Sequence, residues 1–234
     1  HEPLSINSDY YKKLEPQVLA KEFEKLENVD TNHKFLIIDG LPGAGKSTVF
    51  KSFIKNSDET YYLTDVDDLR SEFPEYYKGG IGAHVVHPVT RHIYKEIILP
   101  KAMREGKNIV FQMTGNYESV DKVLQEAYKN GYSIDYINVN VNPAVAINRA
   151  KHRHATNGRY IDPYLILDRV RGNNSAKQYM AKILSYSPYI NASYEYKSGI
   201  LTKIEDGVEA GHINLDKSQN TILDKVKAFF SRFI

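Results

Sequence analysis

Two hydrophobic rhythms alternate along the chain. Between residues 9 and 28, Tyr10, Leu14, Val18, Leu19, Phe23 and Leu26 recur among lysines and glutamates at roughly the spacing that lines one face of a helix. Asn32 and His33 break that rhythm. Residues 34–40, Lys-Phe-Leu-Ile-Ile-Asp-Gly, are a short apolar run ending in glycine, the pattern of a buried strand. Further strands are predicted over 60–64, 107–113 and 133–141, and helices over 46–56, 83–105, 118–130, 143–153 and 163–184. Pro88 and Pro100 should bend or divide the helix over 83–105, because proline removes an amide donor and crowds the preceding turn. Gly131 should stop the helix over 118–130. The polar stretch at 154–160, His-Ala-Thr-Asn-Gly-Arg-Tyr, should interrupt the helical region around it. Near the end, 193–197 and 200–205, split by Ser198-Gly199, read as a β-hairpin, and 221–233 as a closing amphipathic helix.

Strands alternating with helices predict an α/β fold: a mostly parallel sheet with helices on both faces, plus a short C-terminal β-hairpin and helix. With 234 residues, 41% of them hydrophobic, the chain can bury one sizeable core. The expected organisation is a single domain over 1–234. It comprises a helical extension at 1–33, a core at 34–205 and a C-terminal helical extension at 206–234.

Charge removes some classes of partner. A formal net charge of +2 generates no strong field for DNA or a membrane surface, so neither is expected as a partner. The chain has no cysteine, which excludes a disulfide framework, a Cys-zinc site and a thiol nucleophile. The longest apolar runs are far too short to span a bilayer, and a cytoplasmic location is expected.

Candidate chemistry begins at 40–47, Gly-Leu-Pro-Gly-Ala-Gly-Lys-Ser, which meets the pattern Gly-x4-Gly-Lys-Ser between a predicted strand and a predicted helix. Gly40, Gly43 and Gly45, with Pro42 and Ala44 between them, let the backbone wrap a phosphate and aim successive N–H groups at it. The following helix, opening at Lys46, Ser47 and Thr48, adds the positive end of its dipole. In such loops the lysine reaches the β- and γ-phosphates and the serine hydroxyl binds Mg²⁺, so ATP and Mg²⁺ are the expected cofactors. There is no Asn-Lys-x-Asp guanine signature. In an open α/β sheet the active site lies at the carboxyl ends of the strands, and the other candidates are sought there.

Asp65, Asp67 and Asp68 follow the second predicted strand. A kinase acting on a hydroxyl needs a carboxylate beside the acceptor oxygen. Helix capping near Leu69 accounts for one aspartate and leaves the others to explain. If the strand continues, Asp65 and Asp67 share a face. Arg149, Lys151, Arg153, Arg159, Arg169 and Arg171 crowd the region around the polar interruption, where arginines carried by a lid would stabilise charge on a transferring phosphate. Gln112 and Thr114 alternate with Phe111 and Met113, as on a strand with one face lining a cleft, and Glu96 lies in the preceding helix.

Together these residues resemble the zeta toxins, P-loop kinases of bacterial toxin–antitoxin systems. The resemblance covers roughly 34–205. It rests on Pro-Gly-Ala-Gly-Lys-Ser-Thr at 42–48, on Asp65-Val-Asp67 followed by Phe73-Pro74, and on the helix holding Glu96. Thr114-Gly115, and Arg153 and Arg159 flanking the lid, complete it. It implies transfer of phosphate from ATP, with Mg²⁺, to a sugar hydroxyl of UDP-N-acetylglucosamine. Asp67 would be the base, with Arg153 and Arg159 on the transferring phosphate and Asp65, Glu96, Gln112 and Thr114 toward the acceptor. An antitoxin or inhibitor protein is the implied partner, and the compartment is a bacterial cytoplasm, or a host cytosol for a secreted member. The chain departs from the family where Gln112-Met113-Thr114 replaces the usual Glu-Gly-Thr, and where Asn116 stands at a common arginine position. Those departures leave open another hydroxyl acceptor, such as NAD or a nucleoside, and a catalytically weakened nucleotide-binding module.

Overall fold

The computed structural model describes residues 2–55, 57–63, 66–77, 82–113, 120–157, 161–171, 189–205 and 208–214. Its elements are α1 (Asp9–Glu27), β1 (Lys34–Asp39), α2 (Lys46–Lys55), β2 (Tyr62–Leu63), α3 (Val66–Ser71), α4 (Ala83–His92), a π-helical turn (Ile93–Ile98) and α5 (Leu99–Arg104). They continue with β3 (Ile109–Gln112), α6 (Val120–Lys129), β4 (Ser133–Val139), α7 (Pro143–Asn157), α8 (Pro163–Arg171), β5 (Ala192–Lys197), β6 (Ile200–Glu205) and β7 (Val208–Asn214).

The strands form one sheet in the order β2-β3-β1-β4-β5-β6-β7. The pairs from β2 through β5 are parallel and the last two are antiparallel. Side chains of β1 explain why both faces are covered. Phe35 and Ile37 enter one core cluster with α1, α4, α5 and α6. Leu36 and Ile38 enter a second with α2 and β6. The fold is that of a P-loop kinase.

Most predicted elements are present, and the differences have local causes. The N-terminal helix buries Tyr11, Val18, Glu22 and Leu26 rather than Tyr10, which is 43% exposed. Buried Glu22 accepts a hydrogen bond from the Tyr62 hydroxyl, tying α1 to the sheet edge. The second strand spans only Tyr62–Leu63, and helix begins at Val66, so Asp67 sits on α3 and no strand alternation pairs it with residue 65. The helical run over 83–104 is continuous but divided before Pro100. The Leu99 amide bonds the Tyr94 carbonyl five residues back, giving the wide π turn, while Pro88 lies inside α4. The helix predicted over 143–153 does not stop at residue 153. It runs to Asn157, because His154-Ala-Thr-Asn157 contains no breaker and merely forms a polar face.

Ser198 and Gly199 both have positive φ, 48° and 82°, the form of tight turn that joins twisted antiparallel strands. Residues 208–214, expected to be helical, instead add β7 to the sheet. The closing helix expected at 221–233 lies outside the described residues.

Candidate active site

Because β2, β3, β1 and β4 run parallel, their carboxyl ends share one edge of the sheet. The loop after β1 rises from that edge. Asp39, 2% exposed, anchors its entry: one carboxylate oxygen accepts the Gly40 amide at 2.7 Å and the other accepts the Tyr136 hydroxyl at 2.5 Å. A Cβ on Gly40 would lie 2.8 Å from the Val139 carbonyl oxygen. One on Gly43, where φ is 82°, would lie 2.5 Å from that of Ala146. Glycine is therefore required by the backbones of β4 and α7 as well as by any phosphate. Leu41 packs against Ala146, Ala150 and Ile166, which fixes the loop to α7 and α8.

Lys46, also buried, donates from Nζ to the carbonyls of Gly40 (2.8 Å) and Leu41 (3.1 Å). Its ammonium thus spans the loop mouth. Ser47 and Thr48 are exposed in the first turn of α2. A second cation reaches the loop from outside: Arg149 Nη1 donates to the Ala44 carbonyl at 2.9 Å. Arg153, half-buried, lies one turn further along α7, on the same face as Arg149.

Across the cleft, Asp67 stands in the first turn of α3. Its Oδ1 accepts from Arg70 Nη1 at 3.0 Å, and Arg70 Nη2 lies 3.3 Å from His87 Nδ1 on α4. Partial burial and the neighbouring Arg70, Arg91 and Lys95 hold the His87 imidazole below its usual pKa. Gln112 is half-buried at the end of β3, in register with Ile38 two residues before the loop, and the Met113 amide bonds the Ile38 carbonyl at 3.0 Å. Glu96 is exposed on the π turn. Among the site residues expected from sequence, Asp65, Thr114 and Arg159 lie outside the described residues. His152 and His154 are exposed, and no group of three metal-ligating side chains occurs among the described residues.

The model of the zeta toxin family matches residues 6–182. The chain belongs to the zeta toxin family. The match begins ahead of α1 and so includes that helix. The fold is similar to a structure of the PezAT chromosomal toxin–antitoxin system of Streptococcus pneumoniae, with a TM-score of 0.63 at 15% identity over 96% of this chain and 88% of that one. It is similar also to the AvrRxo1-ORF1:AvrRxo1-ORF2 complex with sulphate ions (TM-score 0.61, 12% identity, 94% of this chain and 72% of that one). The same complex with ATP gives 0.58 at 12% identity over 93% and 71%. A search of curated proteins gives no match.

Two contacts of this zeta-type site are not read from the sequence. Arg149 is visible there only as one cation in a basic run, although its four-residue spacing from Arg153 puts both on one face. Arg70 lies three residues after Asp67, a spacing that signals a helical ion pair once α3 is known to start at Val66.

Proposed function

We propose that the chain is an ATP-dependent kinase that phosphorylates a sugar hydroxyl of UDP-N-acetylglucosamine or a related nucleotide sugar. The observation that carries this reading is the placement of Lys46 and Asp67 at the same edge of the sheet. Lys46 spans the mouth of the glycine-rich backbone loop, and Asp67 has its carboxylate oriented by Arg70. Asp67 accepts the proton of the acceptor hydroxyl as that oxygen bonds to the γ-phosphorus. The bond to the β–γ bridging oxygen breaks, and ADP leaves with the electron pair. Lys46 meets the β- and γ-phosphates, and Arg153 and Arg159 meet charge on the transferring group.

The residues present fit Mg²⁺ bound with its nucleotide. Ser47 offers an exposed hydroxyl at the second position of α2, and the phosphates would complete the oxygen set. When bound, the ion neutralises charge between the β- and γ-phosphates. Asp65, Glu96, Gln112 and Thr114 are assigned to the acceptor. The PezAT and AvrRxo1 complexes support a protein antitoxin or inhibitor as partner. No helix among the described residues is long and apolar enough to cross a membrane, and the reading puts the activity in a cytoplasm, bacterial or host.

A neutral Gln112 where the family usually has Glu favours a second reading, in which NAD or a nucleoside is the acceptor. Incubation with ATP and Mg²⁺ and each candidate acceptor, followed by mass spectrometry, separates the two. The expected result is UDP-N-acetylglucosamine that has gained a phosphate, absent with Asp67→Asn. Phosphorylation of NAD alone moves the acceptor, and ATP binding without consumption of any acceptor leaves a nucleotide-binding module.

A further inference from the structure

One buried carboxylate takes no part in the proposed chemistry. β1 is apolar from Phe35 to Ile38 and closes on Asp39, which is buried like the residues before it. Burying an ionised carboxylate is costly unless hydrogen bonds hold it. A neutral side chain would end the strand at less cost, so the carboxylate has a task beyond termination.

The surrounding geometry supplies one. Ile37 pairs in register with Tyr136 of β4, and Asp39 lies two residues further along the same face. The Tyr136 ring is buried in the core cluster that holds Phe35 and Ile37, so its hydroxyl is carried by the sheet itself. That hydroxyl donates to Asp39 Oδ2, and Asp39 Oδ1 accepts the Gly40 amide. The Gly40 carbonyl in turn accepts from Lys46 Nζ. Four groups thus run in one hydrogen-bonded series from the core of the sheet to the ammonium at the loop mouth. The soft link in that series is Gly40, with φ at 154° and no side chain to restrict it. A Cβ cannot stiffen it, since that atom would lie 2.8 Å from the Val139 carbonyl oxygen. The restraint comes instead from Asp39, through a charge-assisted bond of 2.7 Å.

We propose that Asp39 and Tyr136 are positioning residues of the phosphate loop: their buried pair fixes the Gly40 peptide and, through the Gly40 carbonyl, the place of the Lys46 ammonium. The proposal rests on the loop's holding a nucleotide phosphate and is independent of the acceptor.

The test measures ATP affinity of the full chain by competition with a fluorescent ATP analogue. Each variant's urea midpoint is recorded, so that binding is compared only between folded proteins. Tyr136→Phe keeps the ring and removes the hydroxyl. It should weaken ATP binding about fivefold when Lys46 is present. When Lys46 is already replaced by Ala, the loss should fall below about twofold, because the hydroxyl acts through that ammonium. Asp39→Ala should weaken ATP binding roughly tenfold, and Asp39→Asn, which keeps an acceptor for the Gly40 amide, should restore part of the loss. Unchanged affinity in Tyr136→Phe overturns the proposal. So does an equal loss with and without Lys46, since a merely structural pair would weaken binding in both backgrounds. Should Asp39→Ala not fold, the Tyr136–Lys46 cycle decides alone. A native chain that binds no ATP removes the phosphate-loop reading, and the positioning role with it, before any variant is compared. ATP binding by the native chain without Tyr136–Lys46 coupling keeps that reading and removes the positioning role.

Discussion

Around the phosphate loop, position is fixed by backbone. Gly40 and Gly43 lie against carbonyls of β4 and α7, Lys46 bonds two loop carbonyls, and Arg149 bonds a third. Across the cleft, α3, α4 and the π turn present side chains: Asp67, Arg70, His87 and Glu96, most of them partly or fully exposed. A phosphate chain is the same in every nucleotide, and rigid backbone donors suffice to hold it. Acceptors differ, and side chains can be exchanged without disturbing the sheet. On the proposed reading, the nucleotide half of the site is common property of the fold, and the identity of the acceptor would be written in α3, α4 and the end of β3.

Substitutions on the two sides should separate along that line. Lys46→Ala should have the largest effect, weakening ATP binding and lowering transfer by roughly 10³-fold or more; calorimetry and single-turnover rates read both, and normal turnover would remove the phosphate-loop assignment. Asp67→Asn should lower transfer by about 10²–10⁴-fold with ATP affinity nearly intact. Comparable loss of ATP affinity would mean that the two halves are not separable. Gly43→Ala places a Cβ 2.5 Å from the Ala146 carbonyl at φ 82°. It should destabilise the fold by about 1–3 kcal/mol, seen as a lower urea midpoint, and loosen ATP. The smallest change is expected for Arg149→Ala, a KM for ATP raised about 3–10-fold with the acceptor KM unmoved; an equal rise in both would blur the division.

How much of this is legible in the sequence depends on whether a signal is local. The phosphate loop is legible because its strand, glycines and helix are contiguous. The Ser198-Gly199 turn is legible for the same reason. The strand β7 is hidden, since Val-Glu-Ala-Gly-His-Ile-Asn at 208–214 carries a glycine and no clean alternation, and its pairing slips at Lys203/Ile204. Polarity at 154–157 suggests a break where there is only a solvent-facing helix end. The partners of Arg149 and Arg70 are hidden for a different reason. Arg149 bonds a loop 105 residues away, and Arg70 a histidine 17 residues away, and both contacts exist only once the helices have docked.

The length of α7 has a consequence for timing. One unbroken helix carries Arg149, bonded to the phosphate loop, and Arg153, proposed for the transferring phosphate, and it continues to Asn157. An arginine on such a rod does not wait for a lid to swing. Its charge belongs to the resting protein, aligned with the loop before either substrate arrives. Most of the electrostatic work of this helix would then be completed during folding rather than during each turnover.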